Sequence, residues 1–156
     1  MITYHPDKLL AKIAPEKKIK KLLKANITLK KTALSFVSDI DFIDKKNVAD
    51  TALKVIKGYK ARIKDDPESE AEILKDPKQL IQRVQNQIVF QIADAIKTKY
   101  DGSTYTWLPS DADEPRPEHQ LNYGMVFTIG EGEMPGDAYG CQCGMEINHE
   151  DSSLQL

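Results

Sequence analysis

Cys141-Gln142-Cys143 holds the only two cysteines of the chain, with Gly140 and Gly144 on either side, and His119 and Arg116 stand upstream in "RPEHQLNYG". Thiolates and a neutral imidazole are the donors zinc prefers, and a structural zinc takes four N, S or O ligands in a tetrahedron. On a strand, the two cysteines would point to one face with Cα atoms ~6.6 Å apart, and the glycines could bend the backbone to bring both sulfurs onto one ion. His119 is then the third ligand, and Asp111, Asp113, His149 or water the fourth. Paired zinc thiolates more often come as Cys-x-x-Cys, so two alternatives stand beside zinc. The cysteines are structural thiols, or they close a disulfide inside the tripeptide, near the geometric limit for a bridge. As catalytic candidates, His119 is a base or metal ligand, and Arg116 holds a phosphate or pairs with Asp111 or Asp113.

The elements that position these groups follow from the surrounding residues. In "DEPRPEHQLNYG", Glu114 and Arg116 each precede a proline and are driven to extended conformations, while Pro117 opens a short helical turn that Gly124 ends. His119 falls in its first turn, where the backbone amides favour a neutral ring. The plainer alternative is a hydrogen-bonded, half-buried histidine. "STYTWL", "MVFTI" (125–129) and "GMEI" (144–147) carry alternating aromatic and β-branched residues and read as short strands. "GEGEMPGDAYG" is a loop, either a wide hairpin connection or a flap.

The first hundred residues read as helices. "NVADTALKVIKGYKARIKDD" places Val48, Ala52, Val55, Ile56, Tyr59 and Ile63 on one stripe, with Asp44 or Asn47 as N-cap. "PEKKIKKLLKAN" starts at Pro15 and buries Ile19, Leu22 and Leu23, and "TLKKTALSFVSDI" follows with Ala33, Leu34 and Val37. "DDPESEAEILKDP" reads as a connection with at most a short helical turn. The longest periodic stretch opens at Pro77, gathers Ile81, Val84, Ile88, Ile92, Ala95 and Ile96, and closes at Gly102. The expected fold class is therefore α+β: a helical N-terminal part, then a small C-terminal module of short antiparallel strands. The expected division is a helical, basic region over 1–77, a long helix plus α+β module over 78–147, and a tail over 148–156.

With 156 residues, 40% hydrophobic and 29% charged, the composition is that of a folding chain and not of a disordered one. The net charge of −2 conceals a polarity: residues 1–31 carry nine lysines and two acids, whereas residues 101–156 carry one arginine and eleven acids. Lys17, Lys18, Lys20, Lys21, Lys24, Lys30 and Lys31 are the candidate contacts to nucleic-acid phosphates, with an acidic protein surface as the alternative partner. No apolar run approaches the ~20 residues a membrane helix needs, and "MITYHPDKLL" lacks the layout of a secretion signal, so synthesis in the cytosol without membrane association is expected.

Taken in order, Trp107, an acidic cluster, "RPEH", a glycine five residues after the histidine, "VF", "PG" and the closing "GCQC" resemble the C-terminal domain of phage Mu F-like head morphogenesis proteins, the minor head proteins. The likeness spans about residues 79–147. It matches Arg116, His119, Cys141 and Cys143 to the family's polar and thiol positions, with Gln142 where the family commonly has arginine, and the family's motif acid falls at Asp111 or Asp113. The resemblance implies a low-copy virion-assembly protein that acts near the portal, contacts portal or capsid proteins and DNA, and passes from host cytoplasm into the virion. Similar domains occur in toxin-like proteins, so the alternative is a metal-dependent hydrolase or nuclease-like effector. The chain has no Gly-rich phosphate loop, nucleophile elbow or His-Glu-x-x-His to support it.

Overall fold

The computed structural model describes residues 2–6, 23, 29–38, 43–110, 116–139 and 141–148. The basic helix expected from Pro15 and the lysines at 17, 18, 20, 21 and 24 lie outside the described residues. So do Asp111, Asp113 and His149. Among the described residues the fold is α+β, with helices leading and a four-stranded antiparallel sheet completed at the C-terminal end.

The chain forms two compact units, Leu10–Ile88 on one hand and Met1–Leu9 with Val89–Leu156 on the other. In the first, α1 (Leu29–Phe36) precedes α2 (Lys45–Asp65). Asp44 is the N-cap of α2: its backbone is extended and its carboxylate accepts from the amides of Lys46 and Asn47 at 3.1 and 3.3 Å. The buried stripe of α2 is Val48, Ala49, Ala52, Leu53, Ile56 and Tyr59, and Val55 and Ile63 sit at its half-buried margin.

The stretch expected as a connection holds α3 (Ser69–Lys75), two full turns. Glu70 and Glu72 in its first turn and Lys75 in its last match the helix dipole, and Ile73 gives it a buried anchor. These compensate for the flanking prolines, which bound the helix rather than prevent it. The long helix α4 (Lys78–Tyr100) then runs from the first unit into the second.

In the second unit, β1 (Ile2–Tyr4), β2 (Thr104–Leu108), β3 (Val126–Thr128) and β4 (Gly144–Asn148) form one sheet in the order β1-β4-β2-β3. Nothing in the lysine-rich start signals β1, whose three residues pair with Met145 to Ile147 of β4. The pairing is close: a Cβ on Gly144 would run into the Tyr4 carbonyl oxygen, so only glycine admits β1 there. Alternation across the sheet buries Ile2, Tyr4, Tyr105, Trp107, Met145 and Ile147, while Thr3, Thr104, Thr106, Glu146 and Asn148 line the more open face. Ile92, Ala93, Ile96 and Tyr100 of α4 belong to the core of this unit. Because β4 pairs with β2 and not with β3, the glycine-rich loop between β3 and β4 is a crossover past β2, not the wide hairpin considered above.

Candidate metal centre

The short helix α5 (Pro117–Gln120) carries the histidine. Arg116 is extended, with φ −60° and ψ 132°, as the following proline requires, and its carbonyl accepts from the amides of His119 and Gln120. The turn continues to Gly124, whose amide returns the chain to the Trp107 carbonyl at 2.9 Å, while Met125 accepts from the Trp107 amide. His119 is thereby pinned beside Trp107 with ring centroids 5.0 Å apart. It is 2% exposed, fully buried rather than half-buried.

Cys141 and Cys143 precede β4 in irregular backbone; the strand placement considered for them does not occur. Both are buried and both are free thiols, so the tripeptide holds no disulfide. Their sulfurs lie 3.5 and 3.8 Å from His119 Nδ1, and the three donor atoms all fall within 4.8 Å of one another. A tetrahedral zinc with Zn–S of ~2.3 Å and Zn–N of ~2.0–2.1 Å separates its donors by about 3.6–3.8 Å along each edge. The two nitrogen–sulfur spacings match edges of such a tetrahedron. Two thiolates would balance the charge of a divalent ion, and the imidazole adds none, so a buried site of this composition carries no net charge. The group can hold a metal ion.

Three features that spacing did not disclose complete the surroundings. Glu133 Oε1 lies 2.8 Å from His119 Nε2, which donates to it. The Gly136 amide donates to Cys141 Sγ at 3.3 Å. Gly136 has φ +92°, and a Cβ there would meet Val89 Cγ1 at 2.9 Å and Ala93 Cβ at 3.4 Å, so the loop presses against α4 at a point only glycine fits. Asp137 fixes the same loop by accepting from the Met134 amide and from Lys97 Nζ, both at 2.8 Å. Three acids, Glu131, Glu133 and Asp137, sit in the glycine-rich stretch, and no periodicity distinguishes the one that reaches His119.

Arg116 is exposed, and its Nη2 donates to the Tyr139 carbonyl at 3.1 Å, tying the start of α5 to the segment entering Cys141. Its expected carboxylate partners, Asp111 and Asp113, are outside the described residues. The same holds for His149, the other protein residue considered as fourth ligand. Of the lysines expected to meet nucleic acid, Lys30 and Lys31 are described, both exposed on α1.

The two thiols act on each other's ionisation. Cys141 is pulled down to about 6, first by the hydrogen bond from Cys143, with the Gly136 amide helping and burial opposing. Cys143 is pushed far up, first because it donates to Cys141 and then by burial, while Trp107 and Tyr123 act in the opposite sense. As a pair, the thiols give up a first proton more readily than an isolated cysteine and a second one less readily.

Comparison of the chain with protein-family models, with curated proteins and with solved structures returned no match.

Proposed function

We propose that this chain is a phage or prophage minor head protein that acts in capsid assembly near the portal, and that its C-terminal unit is closed by a zinc ion on His119, Cys141 and Cys143. One observation carries the reading. The residues on which the head-morphogenesis resemblance rests are spread from 107 to 143, yet Trp107, His119 and the two sulfurs meet in one buried cluster, with Arg116 bracing its rim. Convergence of these residues on one cluster supports reading them as a single motif, as the resemblance implies.

Burial of the three donors favours a structural over a catalytic metal. His119, Cys141 and Cys143 are 2%, 5% and 2% exposed. A metal acting on substrate needs a coordination position that substrate can reach, whereas a structural zinc is closed. The hydrolase reading therefore gains no support from the site. The assembly role places the chain in the host cytoplasm while heads form and afterwards in the virion, with portal or capsid proteins as partners and DNA met through the basic N-terminal region.

Expression of the chain with the head proteins of its phage, followed by sedimentation, tests the role. The wild type is expected to travel with proheads, and a Cys141→Ser variant to be lost from them. A protein that stays at the top of the gradient in the presence of assembled heads would contradict the assignment.

A further inference from the structure

We propose that Glu133 is the positioning residue of the metal centre: it holds the proton of His119 on Nε2 and so commits Nδ1 to the metal. This rests on the zinc reading above and adds to it the ligating atom and the group that selects it.

A carboxylate oxygen can only accept, so the ring nitrogen that faces Glu133 Oε1 at 2.8 Å carries the hydrogen. In a neutral imidazole the other nitrogen then bears the lone pair, and that nitrogen, Nδ1, is the one 3.5 and 3.8 Å from the two sulfurs. The ring has no freedom to exchange the two, since the side chain is 3% exposed and lies against Trp107 at 5.0 Å. Without the carboxylate, the sulfurs are the polar partners left to the ring among the described residues. The ring is then free to carry its hydrogen on Nδ1, toward the two sulfurs, with a proton where the metal must go.

Glu133 itself remains 53% exposed, so the interaction is anchored from the loop and not from the core. That loop also supplies the Gly136 amide to Cys141 Sγ and is fastened through Asp137 to Lys97 of α4. The crossover from β3 to β4 thus supplies the outer partners of the centre as well as its two cysteines. Outer partners of this type typically carry about 10–100-fold in metal affinity.

The test compares the full-length wild type with Glu133→Ala and Glu133→Gln. Long-range proton–nitrogen NMR of the His119 ring reports the tautomer, and competition with a chromophoric chelator reports the zinc dissociation constant. The wild type is expected to show the Nε2–H tautomer and to bind one zinc. Glu133→Ala is expected to lose that tautomer in its metal-free form and to bind zinc about 10–100-fold more weakly, with an unchanged far-ultraviolet spectrum. Glu133→Gln, whose amide oxygen still accepts, should fall between the two. A Glu133→Ala protein that keeps both the tautomer and the affinity would overturn the inference alone. A wild type that takes up no zinc would overturn the metal reading and this inference together.

Discussion

The cluster works through the identity of single atoms, and its residues make separable predictions. If zinc closes the unit, its binding energy is folding energy, so Cys141→Ser or Cys143→Ser should remove most of it. A loss of roughly 3 kcal/mol would lower the melting temperature by about 10 °C in a chain of this size, and chelator should abolish the difference from wild type. Scanning calorimetry with and without chelator checks this.

The metal-free protein should have a distinctive pH profile. Cys141 has its folded value depressed to about 6 from an ordinary 9.0, so its contribution is complete above pH 9 and disappears as pH falls through 6. Cys143 is raised above 9.0, so its contribution is present below pH 9 and disappears at higher pH. Chelated protein should therefore be most stable near pH 9, with melts falling away on both sides. Because Cys141 ionises more readily than an ordinary thiol, zinc binding near neutral pH should release fewer protons than two ordinary thiols would give up, which calorimetry in buffers of different ionisation enthalpy measures.

Sequence spacing revealed the donors at this scale but not their surroundings. Cysteine and histidine announce a metal by type. Glu133, the Gly136 amide and the Tyr139 carbonyl do not, because an outer-shell partner is chosen by where a loop passes and two of these three are backbone groups.

Among the elements, the loop from β3 to β4 has the least regular structure and the most exacting fit. Gly136→Ala must adopt a left-handed backbone and push a methyl group toward Val89 and Ala93, which should cost about 2–3 kcal/mol. It also shifts the amide that bonds Cys141, so zinc affinity and chemical stability should fall together; denaturant melts paired with zinc competition test this. Asp44→Ala, remote from the centre, should cost about 1 kcal/mol through the lost cap of α2 and leave zinc affinity untouched. Periodicity made α2 and α4 legible because long amphipathic stripes repeat their signal over many turns. α3 was obscured by the prolines at its borders, since a two-turn helix stabilised by terminal charges and one buried isoleucine leaves little pattern. β1 was hidden because three residues cannot alternate long enough to be seen, and its partner lies at the other end of the chain.

For the whole molecule, the charge is polarised between a lysine-rich start and an acidic end, and the function proposed above gives the basic side a partner. If that partner is DNA, affinity should fall with salt with a logarithmic slope of about 0.9 per phosphate neutralised, and replacing Lys30 and Lys31 by glutamine should reduce the slope. A salt-independent association would assign the basic region to another surface. No helix among the described residues is long and apolar enough to cross a membrane. The central claim, that a zinc ion joins α5 to the segment before β4 and so closes the C-terminal unit, is most directly tested by the metal content of reduced protein purified without added metal or chelator. Close to one zinc per chain is expected in the wild type and almost none in Cys141→Ser. A wild type that is folded, reduced and free of zinc, with a melting temperature unmoved by adding it, would rule the metal closure out.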